Sequence, residues 1–209
     1  LFLEFPNSKY TEEGLFIKGE CLIQLGNLDQ AIETYGLVVK QYRNHLWQLF
    51  ALTQLGSLYS YRDNEDGAEA AFKRIMDDFP NHPLFYNAAF QLGNLYFKKK
   101  NIVDAIYYYS TVLKGNILEL FGETHFGLGE SFYQQGKYEK AFTSFETAMR
   151  YLQETSLWFF LTQLEIGNLQ RKLGKYEEAK KSYLIVLDRS KDEEIRKAAK
   201  ELLSHLESY

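Results

Sequence analysis

The sequence predicts an all-α protein assembled from stacked helix-turn-helix units. Three observations carry that prediction. A frame of small and aromatic residues returns five times, each return is split by a turn signal, and only 3 prolines interrupt 209 residues. The frame shows best where it is most alike: "GKYEKA" at 136–141 and "GKYEEA" at 174–179 stand 38 residues apart. Upstream and downstream of these hexads the same slots recur. The first slot holds Gly19, Gly56, Gly93, Gly129 and Gly167. Twelve residues later come Ala31, Ala68, Ala105, Ala141 and Ala179, and four further on Tyr35, Phe72, Tyr109, Phe145 and Tyr183. The glycines are spaced by 37, 37, 36 and 38 residues.

Each unit reads as two helices around a turn. Gly26, Gly136 and Gly174 sit between the first-slot glycine and the alanine, where glycine can adopt the left-handed conformation that ends a helix. Close packing explains the other slots. Two antiparallel helices approach nearest where both are small, so the frame predicts Gly opposite Ala, with the aromatic filling the space beside them. Nine residues before each glycine stand Tyr10, Trp47, Leu84, Leu120 and Trp158, all large; five before stand Gly14, Ala51, Ala88, Thr124 and Thr162, all small. At 100° per residue these share a face with Cys21, Leu58 and Leu95, a face expected to pack on the preceding unit. The frame divides the chain into units at 8–43, 44–80, 81–116, 117–153 and 154–190, preceded by the end of an earlier unit at 1–7. At 191–209 Ile195, Ala198, Ala199, Leu202, Leu203 and Leu206 form one apolar stripe, read as a capping helix opened by a Ser190–Glu193 capping box.

These slots resemble the tetratricopeptide repeat, whose pattern has a small residue, an alanine and an aromatic at this spacing, often closed by proline, as at Pro6 and Pro80. The family's tryptophan slot departs, holding Leu15, Leu52, Ala89, His125 and Gln163, and the units exceed the usual 34 residues. The resemblance covers essentially the whole chain and implies a right-handed superhelical solenoid that binds protein segments on its concave side. The longer units and the "FPN" lead-ins at 5–7 and 79–81 also resemble repeats of bacterial cell-envelope proteins, such as the barrel-assembly lipoprotein and the Tol–Pal coordinator. That second resemblance points to the periplasm or envelope, and the missing initial methionine to a parent chain extending further N-terminally.

Composition excludes several classes. A net charge of −4 lacks the basic footprint of a nucleic-acid binder. One cysteine, Cys21, rules out an internal disulfide framework. No run of about 18 apolar residues marks a membrane span. His45, His82, His125 and His205 lack metal-ligand spacing, and the Gly-Lys pairs lack the other glycines and the Ser/Thr of a phosphate loop. No cofactor, metal or catalytic residue is expected, and the chain reads as no enzyme.

What remains is the first-helix face at three before, one after and four after each glycine, which the resemblance makes concave. It holds Phe16, Ile23, Phe90, Asn94, Phe97, Phe126, Glu130, Tyr133, Asn168 and Arg171, with Lys98 beside Asn94. Exposed aromatics there would mark a docking surface, while neighbouring helices covering them is the alternative. Asn94 with Lys98, and Asn168 with Lys172, have the spacing that grips a terminal carboxylate in some relatives, but Phe90 and Phe126 stand where further cations would be needed. The expected ligand is therefore apolar, a helix or extended segment of a partner. The expected function is a non-enzymatic scaffold in a bacterial envelope or motility assembly. The alternative is a sensor binding a small hydrophobic molecule or signalling peptide.

Overall fold

The computed structural model describes residues 10–41 and 45–206. The predicted fragment at 1–7, the edges of the first two predicted units around residues 42–44, the side chain of His45 and the last three residues lie outside the described residues. The fold is all-α. Among the described residues there are eleven α-helices and no strand: α1 Thr11–Gln24, α2 Leu28–Gln41, α3 His45–Tyr61, α4 Glu65–Asp78, α5 Leu84–Lys98, α6 Ile102–Val112, α7 Leu118–Gln134, α8 Tyr138–Tyr151, α9 Leu157–Lys172, α10 Tyr176–Arg189 and α11 Glu193–Leu206. The chain forms two compact units, one through Leu95 and one from Tyr96. In the first, α1 packs on α2, α2 on α3 and α3 on α4. In the second, α6 packs on α7, α7 on α8, α8 on α9, α9 on α10 and α10 on α11.

Five turns are built alike. Their central residues have positive φ: Gly26 at 76°, Asp63 at 53°, Lys100 at 59°, Gly136 at 71° and Gly174 at 75°. The next amide reaches back to a carbonyl five residues earlier, as in Asn27 to Leu22 at 2.8 Å, Lys137 to Phe132 at 2.9 Å and Lys175 to Gln170 at 2.9 Å. This pairing consumes carbonyls that a helix end leaves open and aims the chain back along the helix it has just left. Three turns use glycine, which reaches this conformation without a Cβ penalty. Two use Asp63 and Lys100, followed by Asn64 and Asn101, whose side chains accept from Gly67 N and Asp104 N at the start of the second helix.

The five frame alanines are fully buried. The frame glycines serve a different neighbour from the one expected. A Cβ on Gly19 would lie 2.5 Å from Tyr35 Cζ, and the nearest atoms to Gly56, Gly129 and Gly167 belong to Phe72, Phe145 and Tyr183. The glycine thus makes room for the aromatic ring sixteen residues later, because a flat ring needs more depth than an alanine methyl. Gly127 plays the same part for Tyr109, across the α6–α7 contact.

The stacking face is as expected for most units and differs at the first. Ala51, Thr124, Thr162 and Leu169 are fully buried, and Leu58 and Leu95 nearly so; Leu169 packs with Ala141 and Phe145 of the preceding helix pair. Cys21 is exposed and Tyr10 is 64% exposed. No described element precedes α1 to cover them. At the other end, α11 buries Ile195 and Ala199 against Tyr183 and Val186. Its opening also departs from the predicted capping box. Asp192 caps it, accepting from Glu194 N at 3.0 Å and Ile195 N at 3.1 Å, while Ser190 Oγ accepts from Asp192 N. Aspartate directly before the first helical residue competes better for those amides than a serine two positions further back.

Candidate partner-binding face

The predicted groove residues separate into a packed row and an open row. Phe16, three before its glycine, is half-buried among Tyr35, Trp47 and Phe50, with ring centroids 5.5, 5.3 and 6.1 Å away. Phe126 is held in the same way by Phe145 at 5.9 Å and Trp158 at 5.2 Å. Phe90 and Leu164 are each 6% exposed. The continuous exposed aromatic patch is therefore absent from this row. The reason lies in the longer units: the large residue nine before each glycine, Trp47 or Trp158, reaches back over the phenylalanine of the unit before. Phe16 and Phe126 each pack against a tryptophan of the following helix pair and keep part of their surface open, whereas Phe90 and Leu164 are buried.

The residues one and four after the glycines remain accessible. In the first unit Ile23 and Glu20 are half-buried, and Asn94 is exposed; Tyr35 donates its hydroxyl proton to Glu20, and burial and that bond push the Tyr35 phenol upward. In the second unit Phe97, Glu130, Tyr133, Asn168 and Arg171 are half-buried and Lys98 is exposed. Tyr133 lies tilted against Tyr138, with centroids 5.6 Å apart. Asn168 Nδ2 donates to Glu165 Oε1 at 3.2 Å, and Asn168 Oδ1 accepts from Tyr183 Oη at 2.9 Å. Both ends of that amide are engaged, and Lys172 Nζ sits 5.8 Å from the Tyr138 ring centroid. The Asn168 amide is thus engaged within the fold, while Lys172 stays exposed beside the Tyr138 ring.

The electrostatics of this face are unusual for a surface. Burial, with the Glu165 carboxylate as a second cause, pushes Glu130 up to about 7. Burial raises Glu165 as well, partly countered by its bond from Asn168. Burial carries Tyr183 to about 12 and raises Tyr109, with Glu130 adding to the latter. Glu165, Tyr109 and Tyr183 are not among the residues the sequence marks as groove. Glu165 is legible there in principle, standing one helical turn before Asn168 on the same face. The two tyrosines read in sequence only as packing rings, because a hydroxyl's destination depends on the helix opposite.

Among the described residues no group of three or more His, Cys, Asp or Glu could hold a metal ion. No described helix is long and apolar enough to cross a membrane. His82 Nδ1 accepts from Leu84 N at 3.2 Å at the start of α5, and His125 is half-buried beside Phe121 and Tyr151, where burial lowers its proton affinity.

Repeated helix pairs with glycine-seated rings and Schellman turns define a repeat protein, and comparison with known proteins identifies the repeat. The chain belongs to the tetratricopeptide repeat family, matching it over residues 13–45 and 123–153, 53–118, and 162–193. Proteins of this family bind protein partners. Solved structures with the same fold include a MamA protein (TM-score 0.73, 20% identity, covering 87% of this chain and 93% of that one). Another is MamA from Desulfovibrio magneticus RS-1 (0.66, 13%, 94% and 93%). A third is the APC/C hetero-tetramer Cut9–Hcn1 (0.70, 18%, 93% of this chain and 36% of that one).

Proposed function

We propose that this chain is a non-enzymatic scaffold whose first-helix face holds a segment of a partner protein, with the main contacts in the second unit. The observation that carries this is the run of half-buried polar and aromatic groups there, Glu130, Tyr133, Asn168 and Arg171, which the packing row leaves accessible. Half-buried side chains held in place by neighbours lose little freedom on binding, which favours recognition. The face is more polar than the apolar groove the sequence suggests, so the partner supplies hydrogen bonds and charge alongside apolar contacts. The net charge of −4 supports a protein partner over nucleic acid. In the Cut9–Hcn1 hetero-tetramer a chain of this fold stands in a complex with another polypeptide. A bacterial envelope or motility-associated assembly is the setting we favour, on the resemblance of the "FPN" lead-ins to envelope repeats.

The test is a pull-down from native extract with the tagged chain and with a Tyr133→Ala/Arg171→Ala variant whose helicity is checked by circular dichroism. A stoichiometric partner retained by the first and lost by the second is expected. Equal recovery by both would place binding elsewhere.

A further inference from the structure

We propose that the turn edge of the second unit, beside the partner-binding face, docks onto an anionic lipid surface. The turns concerned are those that close α5, α7 and α9. Over residues 98–104, 136–140 and 172–181, which hold these turns and the helix starts they open, nine lysines stand against four acids, Asp104, Glu139, Glu177 and Glu178. The chain as a whole carries −4. The matching turns of the first unit, over 24–31 and 61–67, hold Arg62 against Asp29, Asp63, Glu65 and Asp66. There Arg62 meets Asp29 of the adjoining turn at 3.0 Å. The same turn is therefore built with either sign of charge, and its conformation does not call for lysine.

Lysine is also a poor local choice. Lys137 and Lys175 stand directly before the first residues of α8 and α10, and neither makes a side-chain cap. An ammonium has no acceptor to offer the open amides, and its charge opposes the positive end of the helix dipole. Asn64 and Asn101 cap α4 and α6 from the same slot. Lys100 holds a φ of 59°, a region that disfavours any side chain. Residues that break a local rule without a local gain point to function. Among the described residues Lys137, Lys140, Lys172 and Lys175 form no ion pair, and all four are exposed. Their charge is open to a partner.

The turns lie side by side. Lys172, at the end of α9, places Nζ 5.8 Å from the ring centroid of Tyr138, the first residue of α8. Leu173 lines the same cleft as Gly136, Lys137 and Lys140. Tyr109 rests on Gly127 where α6 and α7, joined by the short connection 113–117, run back along each other, so the start of α6 adjoins the end of α7. Apolar side chains stand singly among the cations: Val103, Leu173 and Tyr176 are exposed. Cations spread over three turns with isolated apolar tips between them match a lipid surface. Lysines there meet phosphate oxygens while the valine, leucine and tyrosine enter the headgroup layer. A peptide would need the apolar groups gathered in one groove.

Co-sedimentation of the intact chain with vesicles tests this without any protein partner. Vesicles of equal parts phosphatidylglycerol and phosphatidylcholine should retain the chain at about 0.1 M salt and release it at about 1 M, and phosphatidylcholine alone should not retain it. Each lysine near an anionic surface adds about fivefold to partitioning. Lys137→Asn with Lys175→Asn supplies the cap that α4 and α6 already use, so the melting temperature should equal or exceed that of the wild type. Its vesicle affinity should nevertheless fall by roughly twentyfold. Lys191→Gln with Lys197→Gln removes the same charge from exposed positions beyond α10 and should bind like the wild type. No binding to the phosphatidylglycerol vesicles, equal binding to both vesicle types, an Asn variant that binds like the wild type, or a loss as large in the Gln variant overturns the proposal. Retention on immobilised polyglutamate without retention on vesicles assigns the edge to an acidic protein segment and overturns it equally. Because none of these uses the pull-down partner, they can fail while the scaffold reading stands, and the reverse.

Discussion

Replacing Gly129 by alanine isolates what the repeat glycine does. In an exposed helix interior the change should help, since alanine exceeds glycine in helix propensity by about 1 kcal/mol. At Gly129 the added Cβ would stand 2.5 Å from Phe145 Cδ1. That ring is fully buried and backed by Phe126, so it cannot withdraw. Overpacking a rigid core site costs about 3 kcal/mol at the upper end of its usual range. The net expectation is a loss of about 2 kcal/mol, or a melting temperature lower by roughly 4–8 °C for a chain of this size. Gly36→Ala is the matched control, lying within α2 where an added methyl would meet no heavy atom inside 4 Å. It should gain roughly 0.5–1 kcal/mol. Combining Gly129→Ala with Phe145→Leu should recover part of the loss, giving a coupling of about 1 kcal/mol or more in thermal or urea melts. If Gly129→Ala raises the melting temperature as Gly36→Ala does, the ring-seat explanation of the repeat is wrong.

Two further expectations concern the turns and the stacking rings. Asp63→Gly and Lys100→Gly should each stabilise by roughly 0.5–1 kcal/mol, because both residues hold positive φ (53° and 59°) that glycine reaches freely; Gly136→Ala, in open space at φ 71°, should destabilise by about 1 kcal/mol. Urea melts of the three variants give the signs directly. Trp158→Ala should cost about 2–3 kcal/mol through its lost contact with Phe126, whose centroid is 5.2 Å away, and exchange should accelerate first in α7 and α9. Unchanged protection in those helices would remove the tryptophan from the stacking role.

The helix pairs, their turns and the repeat class are all legible in one sequence, because a five-fold frame repeats the same local physics. Glycine at 26, 136 and 174 announces a left-handed residue, and the period of the apolar pattern announces helices. Three things needed the fold. The nearest neighbour of Gly129 is the Phe145 ring, since sequence spacing gives the helix face but not the depth to which a ring enters it. Asp63 and Lys100 carry the same turn as the glycines without their letter, because the flanking helices hold the backbone there. Phe16, Phe90 and Phe126 look like a ligand row in sequence and are largely packing, since exposure depends on Trp47, Trp158 and other side chains arriving from a neighbouring unit. The same dependence makes Glu130 unusual. The cost of its charge is set by what surrounds it in space, and only the stacked helices half-bury it.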